Sequence, residues 1–138
     1  MKNILLIATL LLTTLIFSCD KEKEAIVDTQ DNELQDVNSL ATFETEVNEG
    51  VSLVFFHASW CSICAQQRPN VEVLPNNADF SGVFFAEVEF EDNPEINDSY
   101  SVFNFPTTVI YKDGNEIERY EGAGHSEATL SAKLNELL

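Results

Sequence analysis

Residues 51–64 read VSLVFFHASWCSIC, an apolar run that leads directly into two cysteines separated by two residues. Branched and aromatic side chains dominate the run from Val51 to Ala58, which is typical of a central strand buried on both faces of a sheet. Because this strand passes straight into the cysteines, Cys61 is expected at or beside the N-terminus of a following helix. The stretch therefore indicates an α/β domain whose chemistry lies where the central strand ends.

Cys61 and Cys64 are the candidate catalytic groups of the chain. At a helix N-terminus, unpaired N–H groups and the helix dipole favour a thiolate, so Cys61 is the expected nucleophile. Cys64 lies one turn further on roughly the same helix face, close enough for a disulfide, and is the expected resolving thiol. Such a pair serves thiol–disulfide exchange, in which attack by Cys64 clears a mixed disulfide at Cys61.

Three non-catalytic roles for the pair compete with exchange chemistry. A zinc site needs about two more ligands, for which only His57 and His125 remain. Two buried structural thiols fit poorly with the exposed-looking residues that flank the motif. A purely structural disulfide is the strongest alternative, because exported proteins keep such bonds.

The composition bounds the class of protein. The chain has 138 residues, 44% of them hydrophobic, which suffices for about one domain with a real core. Its formal net charge is −17 and it has only seven Lys plus Arg, so it cannot supply the basic surface that a phosphate backbone requires. Nucleic acid is therefore not an expected partner.

Residues 1–18 have the pattern of a secretion signal. Lys2 precedes an apolar run from Ile4 to Phe17, which is too short to span a bilayer of roughly 30 Å comfortably. The run ends in IFSC, which resembles the lipobox of bacterial lipoproteins, although Phe17 is a bulky departure from it. We expect acylation of Cys19, which leaves an even pair of cysteines; the alternative is an ordinary signal with an incidental cysteine.

Residues 19–36 form an acidic segment between this signal and the domain. The run DKEKEAIVDTQDNEL has many charges, no aromatic residue and no periodic apolar face, so it predicts a flexible tether. With lipid at one end, the tether would hold residues 37–138 at a membrane of the bacterial envelope, facing the periplasm or the cell surface.

The rest of the chain alternates helix and strand patterns. Leu40, Phe43 and Val47 indicate a short amphipathic helix behind the N-cap residue Ser39. Four further elements are predicted: a strand over 83–90, a loop or short helix over 91–105, a hairpin turning at Asp113 and Gly114, and a closing helix behind Ser126 with Leu130, Leu134, Leu137 and Leu138 on one side.

From about Leu40 to Leu138 the chain resembles the thioredoxin family. The resemblance rests on VSLVFFHASWCSIC, on Pro69 at the place of the helix-kinking proline, and on the runs AEVEFEDNP, FPTTVIYKDGNEI and GAGHSEATLSAKLNEL. It implies a thioredoxin-like three-layer sandwich, with a mixed sheet of four or five strands flanked by helices. The implied activity is dithiol–disulfide exchange with protein substrates, without a metal or an organic cofactor.

The same resemblance implies two features beside the cysteines. The Phe105–Pro106 bond would be cis and would face them, whereas sequence alone says only that Pro106 begins a strand. Trp60 would belong to a flat apolar surface next to the active site; the plainer interpretation is a partly buried aromatic residue.

Two departures from the family pattern bear on the chemistry, and the first concerns proton transfer. Phe55 stands where relatives carry a buried acid, so we consider Glu87 of the neighbouring strand as a substitute proton acceptor, with a pKa raised by burial. Alternatively, Glu87 and Glu89 simply point to solvent. His57 and Arg68 could act on the thiolate, or could be an ordinary aromatic replacement and a solvated helix residue.

The second departure is the Ser-Ile pair between the cysteines. No cation lies there to hold a thiolate, so we expect a reducing rather than a strongly oxidising protein. The sequence thus indicates a membrane-tethered reductase that needs a membrane electron donor. The alternatives are an oxidase or isomerase on the same fold, or a binding module with an inert disulfide.

Overall fold

The computed structural model describes residues 32–138, which form a five-stranded mixed sheet flanked by four helices. In chain order the elements are β1 (Gln35–Asp36), α1 (Leu40–Val47), β2 (Val51–His57), α2 (Cys64–Glu72), β3 (Val83–Glu89), α3 (Pro94–Ser99), β4 (Thr107–Lys112), β5 (Asn115–Glu121) and α4 (Glu127–Asn135). Two short 3-10 turns, Leu74–Asn76 and Ala78–Phe80, connect α2 to β3. The predicted thioredoxin-like sandwich is confirmed.

The strand β2 lies at the centre of the sheet, whose strand order is β1-β3-β2-β4-β5. It pairs in parallel with β3 and antiparallel with β4, and its residues from Val51 to Phe56 are buried. The apolar run that opens the motif is therefore the doubly covered strand that its composition predicts.

The core consists of two clusters on opposite faces of the sheet, because successive side chains of β2 alternate between them. One face packs against α2 and α4, and the other against α1 and α3. The first cluster includes Leu53, Phe55, Val71, Leu130 and Leu134, and the second includes Phe43, Val47, Val54, Phe56 and Ile96.

The hairpin between β4 and β5 turns at Asp113 and Gly114, as predicted. Both residues have positive φ, 48° and 78°, which suits a tight turn between antiparallel strands. Glycine suits position 114 because its φ is one that other side chains adopt only with strain, and a Cβ there would also push the end of the Asn48 side chain aside.

The helix predictions hold with one correction. Ser39 and Ser126 cap α1 and α4 by accepting the N–H groups of Thr42 and Thr129. Leu130 and Leu134 are buried as expected, but Leu138 follows the end of α4 and is 60% exposed, because the helix stops before its side chain can turn inward.

The strand β1 was not predicted. Gln35 and Asp36 were assigned to the tether, yet they pair in parallel with Ala86 and Glu87 of β3 at the edge of the sheet. The predicted signal peptide, Cys19 and the predicted tether up to residue 31 lie outside the described residues. None of the helices within residues 32–138 is long and apolar enough to cross a membrane.

Candidate active site

The cysteine pair lies where β2 ends and α2 begins. Cys61 precedes the first residue of α2 by three positions, and its Sγ is joined to that of Cys64 in a disulfide with a Cα–Cα distance of 5.3 Å. Cys61 is partly exposed, whereas Cys64 is only 4% exposed. The backbone N–H of Cys64 donates to Sγ of Cys61 at 3.1 Å. Its position before the helix, its partial exposure and the N–H that its sulfur accepts all favour Cys61 as the cysteine that attacks a substrate.

An apolar surface borders the disulfide. The Phe105–Pro106 bond is cis, as the family resemblance implied, and Pro106 directly precedes β4. Trp60 is 64% exposed and its ring meets that of Phe105 edge-on, with 6.2 Å between the centroids. Ile63 and Phe103 are also exposed. Trp60 is thus not a partly buried core residue, and its indole is available to another molecule.

Phe55 is buried at the position where the family resemblance predicts an acid. Its side chain is fully buried, stacks on His57 with 5.4 Å between the ring centroids, and lies under the Arg68 guanidinium at 5.2 Å. Arg68 pairs with Glu87 at 2.7 Å and with Glu72 at 3.0 Å. Arg68 is therefore not a solvated helix residue, because it links α2 to β3.

His57 lies between two carboxylates of β3. Its Nε2 is 3.0 Å from Oε2 of Glu87, and its Nδ1 is 2.9 Å from Oε2 of Glu89. The parallel register produces this arrangement, since Phe55 pairs with Glu87 and His57 with Glu89. The alternative that both glutamates simply point to solvent is wrong: each contacts His57, and Glu89 also accepts the N–H of Ser59 at 2.9 Å.

The contact between His57 and Glu87 is close but poorly aligned. Nε2 is buried and, although close to Glu87, makes no hydrogen bond of acceptable angle within residues 32–138. The short distance therefore describes an electrostatic contact rather than an aligned bond.

The pKa of Glu87 is lowered, so the expected rise by burial is wrong. The nearby His57 ring is the largest cause, and Arg68 lowers the pKa further, which together outweigh the opposing effect of partial burial. A carboxylate with a lowered pKa is a weaker base than an ordinary one.

A cavity of about 310 Å³ connects the cysteines to this cluster. Its lining includes Cys61, Cys64, His57, Arg68 and Glu89. Glu87 instead lines a neighbouring cavity of about 460 Å³ on the β1 side, together with Glu72. The structure thus brings His57 and Glu89, but not Glu87, to the space beside the disulfide.

Gln67 is a site-supporting residue that the sequence did not reveal. Its side chain is fully buried, donates to the carbonyl of His125 at 2.7 Å and accepts the N–H groups of Gly124 and His125 at 3.1 Å. These bonds attach α2, just behind the cysteines, to the loop before α4. The only sequence signal is a polar residue on the buried face of a helix.

Comparison with known proteins agrees with this geometry. The family model for thioredoxin matches residues 34–136. Thioredoxin of Chlamydia caviae is 34% identical over 86 residues, covering 62% of this chain and 82% of that protein. Thioredoxin of Ictalurus punctatus is 27% identical over 103 residues, covering 75% of this chain and 94% of that protein. The X-ray structure of Fasciola hepatica thioredoxin superimposes with a TM-score of 0.66 at 32% identity, covering 76% of this chain and 100% of that chain. The chain belongs to the thioredoxin family and is a thiol:disulfide oxidoreductase with the Cys61–Cys64 pair as its CxxC centre.

Proposed function

We propose that this protein is a lipid-anchored reductase of protein disulfides in the bacterial envelope. Cys61 attacks a substrate disulfide and forms a mixed disulfide, and Cys64 then attacks Cys61 and releases the reduced substrate. The observation that carries these roles is the asymmetry between the sulfurs. Cys61 is partly exposed and accepts a backbone N–H, while Cys64 is buried behind it.

The residues between the cysteines support reduction as the direction. Ser62 and Ile63 carry no charge that would hold a thiolate at Cys61. A thiolate that is less stabilised makes the reduced pair a better electron donor. In an oxidising compartment such a protein has to be re-reduced, so the proposal includes a membrane electron donor.

The exposed apolar surface supports protein substrates. Trp60 and Ile63 present large apolar groups beside the disulfide, where an extended substrate segment would cover them. A small-molecule disulfide alone would leave most of this surface in water.

The N-terminal sequence supports the anchor. Acylation of Cys19 would place lipid ahead of the acidic segment, and the family match begins only at residue 34. The segment from 19 to 33 would then be a spacer between the membrane and the domain.

The reduction potential of the Cys61–Cys64 pair, measured by equilibration with glutathione, tests this function. A reductase gives a value nearer about −270 mV than about −120 mV. A value at the oxidising end would assign the protein to the oxidases or isomerases. A disulfide that glutathione and dithiothreitol both fail to reduce would instead indicate a binding module.

A further inference from the structure

We propose that His57, supported by Glu89, is the proton acceptor for Cys64 in the resolving step. The inference rests on the proposed function, because it concerns the second half of the same exchange reaction. It assigns a base to a site in which Phe55 occupies the position of the family's buried acid.

The resolving step needs a base because a thiol is a poor nucleophile. Cys64 loses its proton, its thiolate attacks Sγ of Cys61, and the Cys61–Cys64 disulfide forms as the substrate sulfur leaves with the electron pair. The proton passes to the imidazole, and the departing substrate thiolate is protonated by solvent. No other oxidant or reductant takes part.

His57 is better placed than Glu87 to accept the proton, because it lines the cavity that contains the cysteines. The His57 side chain is 12% exposed, and its ring lines the cavity of about 310 Å³ that also reaches Cys61 and Cys64. A cavity of this volume holds several water molecules, which can carry a proton between groups that are not in direct contact. Glu87 lines the neighbouring cavity and has a lowered pKa.

The two carboxylates leave one ring nitrogen of a neutral His57 able to accept a proton. With its proton on Nε2, toward Glu87 at 3.0 Å, the ring presents a bare Nδ1 to Oε2 of Glu89 at 2.9 Å, where two acceptors face each other. Protonation of Nδ1 turns this contact into a charge-assisted interaction. Nδ1 is also the nitrogen next to Glu89, which lines the cavity that reaches both cysteines.

Glu89 and Glu87 differ in what else they bind. Oε1 of Glu89 accepts the N–H of Ser59, and Oε2 of Glu89 contacts Nδ1 of His57. The backbone bond orients the Glu89 carboxylate, and the carboxylate in turn orients the His57 ring. Glu87 shares Oε2 between His57 and Arg68. We therefore assign Glu89 as a positioning residue and Glu87 as the carboxylate already neutralised by Arg68.

The other charged groups around the ring come from α2 and from the loop before it. They are Arg68 and Glu72, which line the same cavity as the two cysteines; the cysteines carry charge only after reduction. On the far side of β2, β4 contributes Thr107 and Thr108, which do not titrate in this range. His57 is thus the group placed to gain a proton as Cys64 loses one.

Reaction of the reduced full chain in detergent with the aromatic disulfide dithiobis(nitrobenzoate) measures both steps in one trace. The first thionitrobenzoate is released when Cys61 attacks, and the second when Cys64 clears the mixed disulfide. We expect His57→Gln to slow the second phase at least about tenfold near neutral pH and to change the first less than about twofold.

Matched variants separate this role from others. Glu89→Gln should slow the second phase partially, Glu87→Gln less than about threefold, and His125→Gln, which removes the chain's other histidine, not at all. His57→Phe repeats the test with an aromatic ring, and circular dichroism verifies that each variant is folded.

Each result decides a different point. An unchanged second phase in both His57 variants overturns the inference, as does an equal slowing of both phases, which would indicate thiolate stabilisation. A larger effect of Glu87→Gln than of Glu89→Gln would transfer the role to Glu87. Absence of a first phase in the wild type would remove the proposed function itself.

Discussion

The backbone N–H of Cys64 donates a hydrogen bond of 3.1 Å to Sγ of Cys61. Once the pair is reduced, the same N–H at the start of α2 is placed to stabilise negative charge on the Cys61 sulfur, which lies outside the helix. Cys64 is only 4% exposed, so its own sulfur is less accessible to a substrate. The pair is built with one sulfur for attack and one for resolution.

Alkylation rates test this difference. When the reduced protein is treated with iodoacetamide at neutral pH, Cys61 should be modified at least about tenfold faster than Cys64, because the reactive species is the exposed thiolate. Mass spectrometry of peptides after timed quenching gives both rates. Faster modification of Cys64 would reverse the two roles.

Removal of the Gln67 side chain should destabilise the domain. Gln67→Ala deletes three hydrogen bonds and leaves the N–H groups of Gly124 and His125 without their acceptor, so we expect a loss of about 2–4 kcal/mol. Urea unfolding measures the change. Asn76→Ala, which deletes one longer contact to the carbonyl of Glu72, serves as a control and should cost less than about 1 kcal/mol. Equal stability of the Gln67 variant and wild type would show that the buried amide does not secure the loop.

The lowered pKa of Glu87 makes stability depend on pH in a defined direction. Because the pKa is lower in the folded state, its stabilising contribution is complete above the ordinary carboxyl value of about 4.3 and is lost as pH falls through the lowered value. Glu87→Gln should therefore be less stable by about 1–2 kcal/mol at pH 7, and the difference should shrink in acid.

Urea midpoints of Glu87→Gln and wild type between pH 7 and pH 3 provide the measurement. Glu118→Gln is the control, since Glu118 lies on β5 with only a distant contact of 3.8 Å to Lys133. A difference in urea midpoint between Glu87→Gln and wild type that stays constant from pH 7 to pH 3 would contradict the assigned ion pairs.

The fold was predictable where local pattern and burial agree. The unbroken apolar run of β2, the serine caps of α1 and α4, and the turn at Asp113 and Gly114 each carry their signal within a few residues. The strand β1 has no such signal, because it has only two residues, both exposed, and depends on pairing with β3.

The site was predictable in part. The spacing of the cysteines and the family resemblance placed Cys61, Cys64 and the cis bond before Pro106 correctly. The lowered pKa of Glu87 was missed, since it depends on the His57 ring and on Arg68 reaching across from α2. Such distances follow from the register of two strands and the packing of a helix, which composition does not report.

Lipid attachment gives a separate prediction. Cells labelled with an alkyne fatty acid should incorporate label into the wild-type protein and not into Cys19→Ala. The variant lacks the cysteine to which the fatty acid would be attached. Cys61→Ala is the control and should label as the wild type does. Equal labelling of the wild type and Cys19→Ala would contradict the anchor while leaving the domain chemistry untouched.

The central claim is that Cys61 forms a mixed disulfide which Cys64 clears, and a trapping comparison tests it most directly. Non-reducing gels of cells that express Cys64→Ser should show covalent complexes sensitive to dithiothreitol, because serine cannot make the second attack. Cys61→Ser should show none, since the attacking sulfur is absent. Complexes that form equally in both variants, or only in Cys61→Ser, would contradict the account.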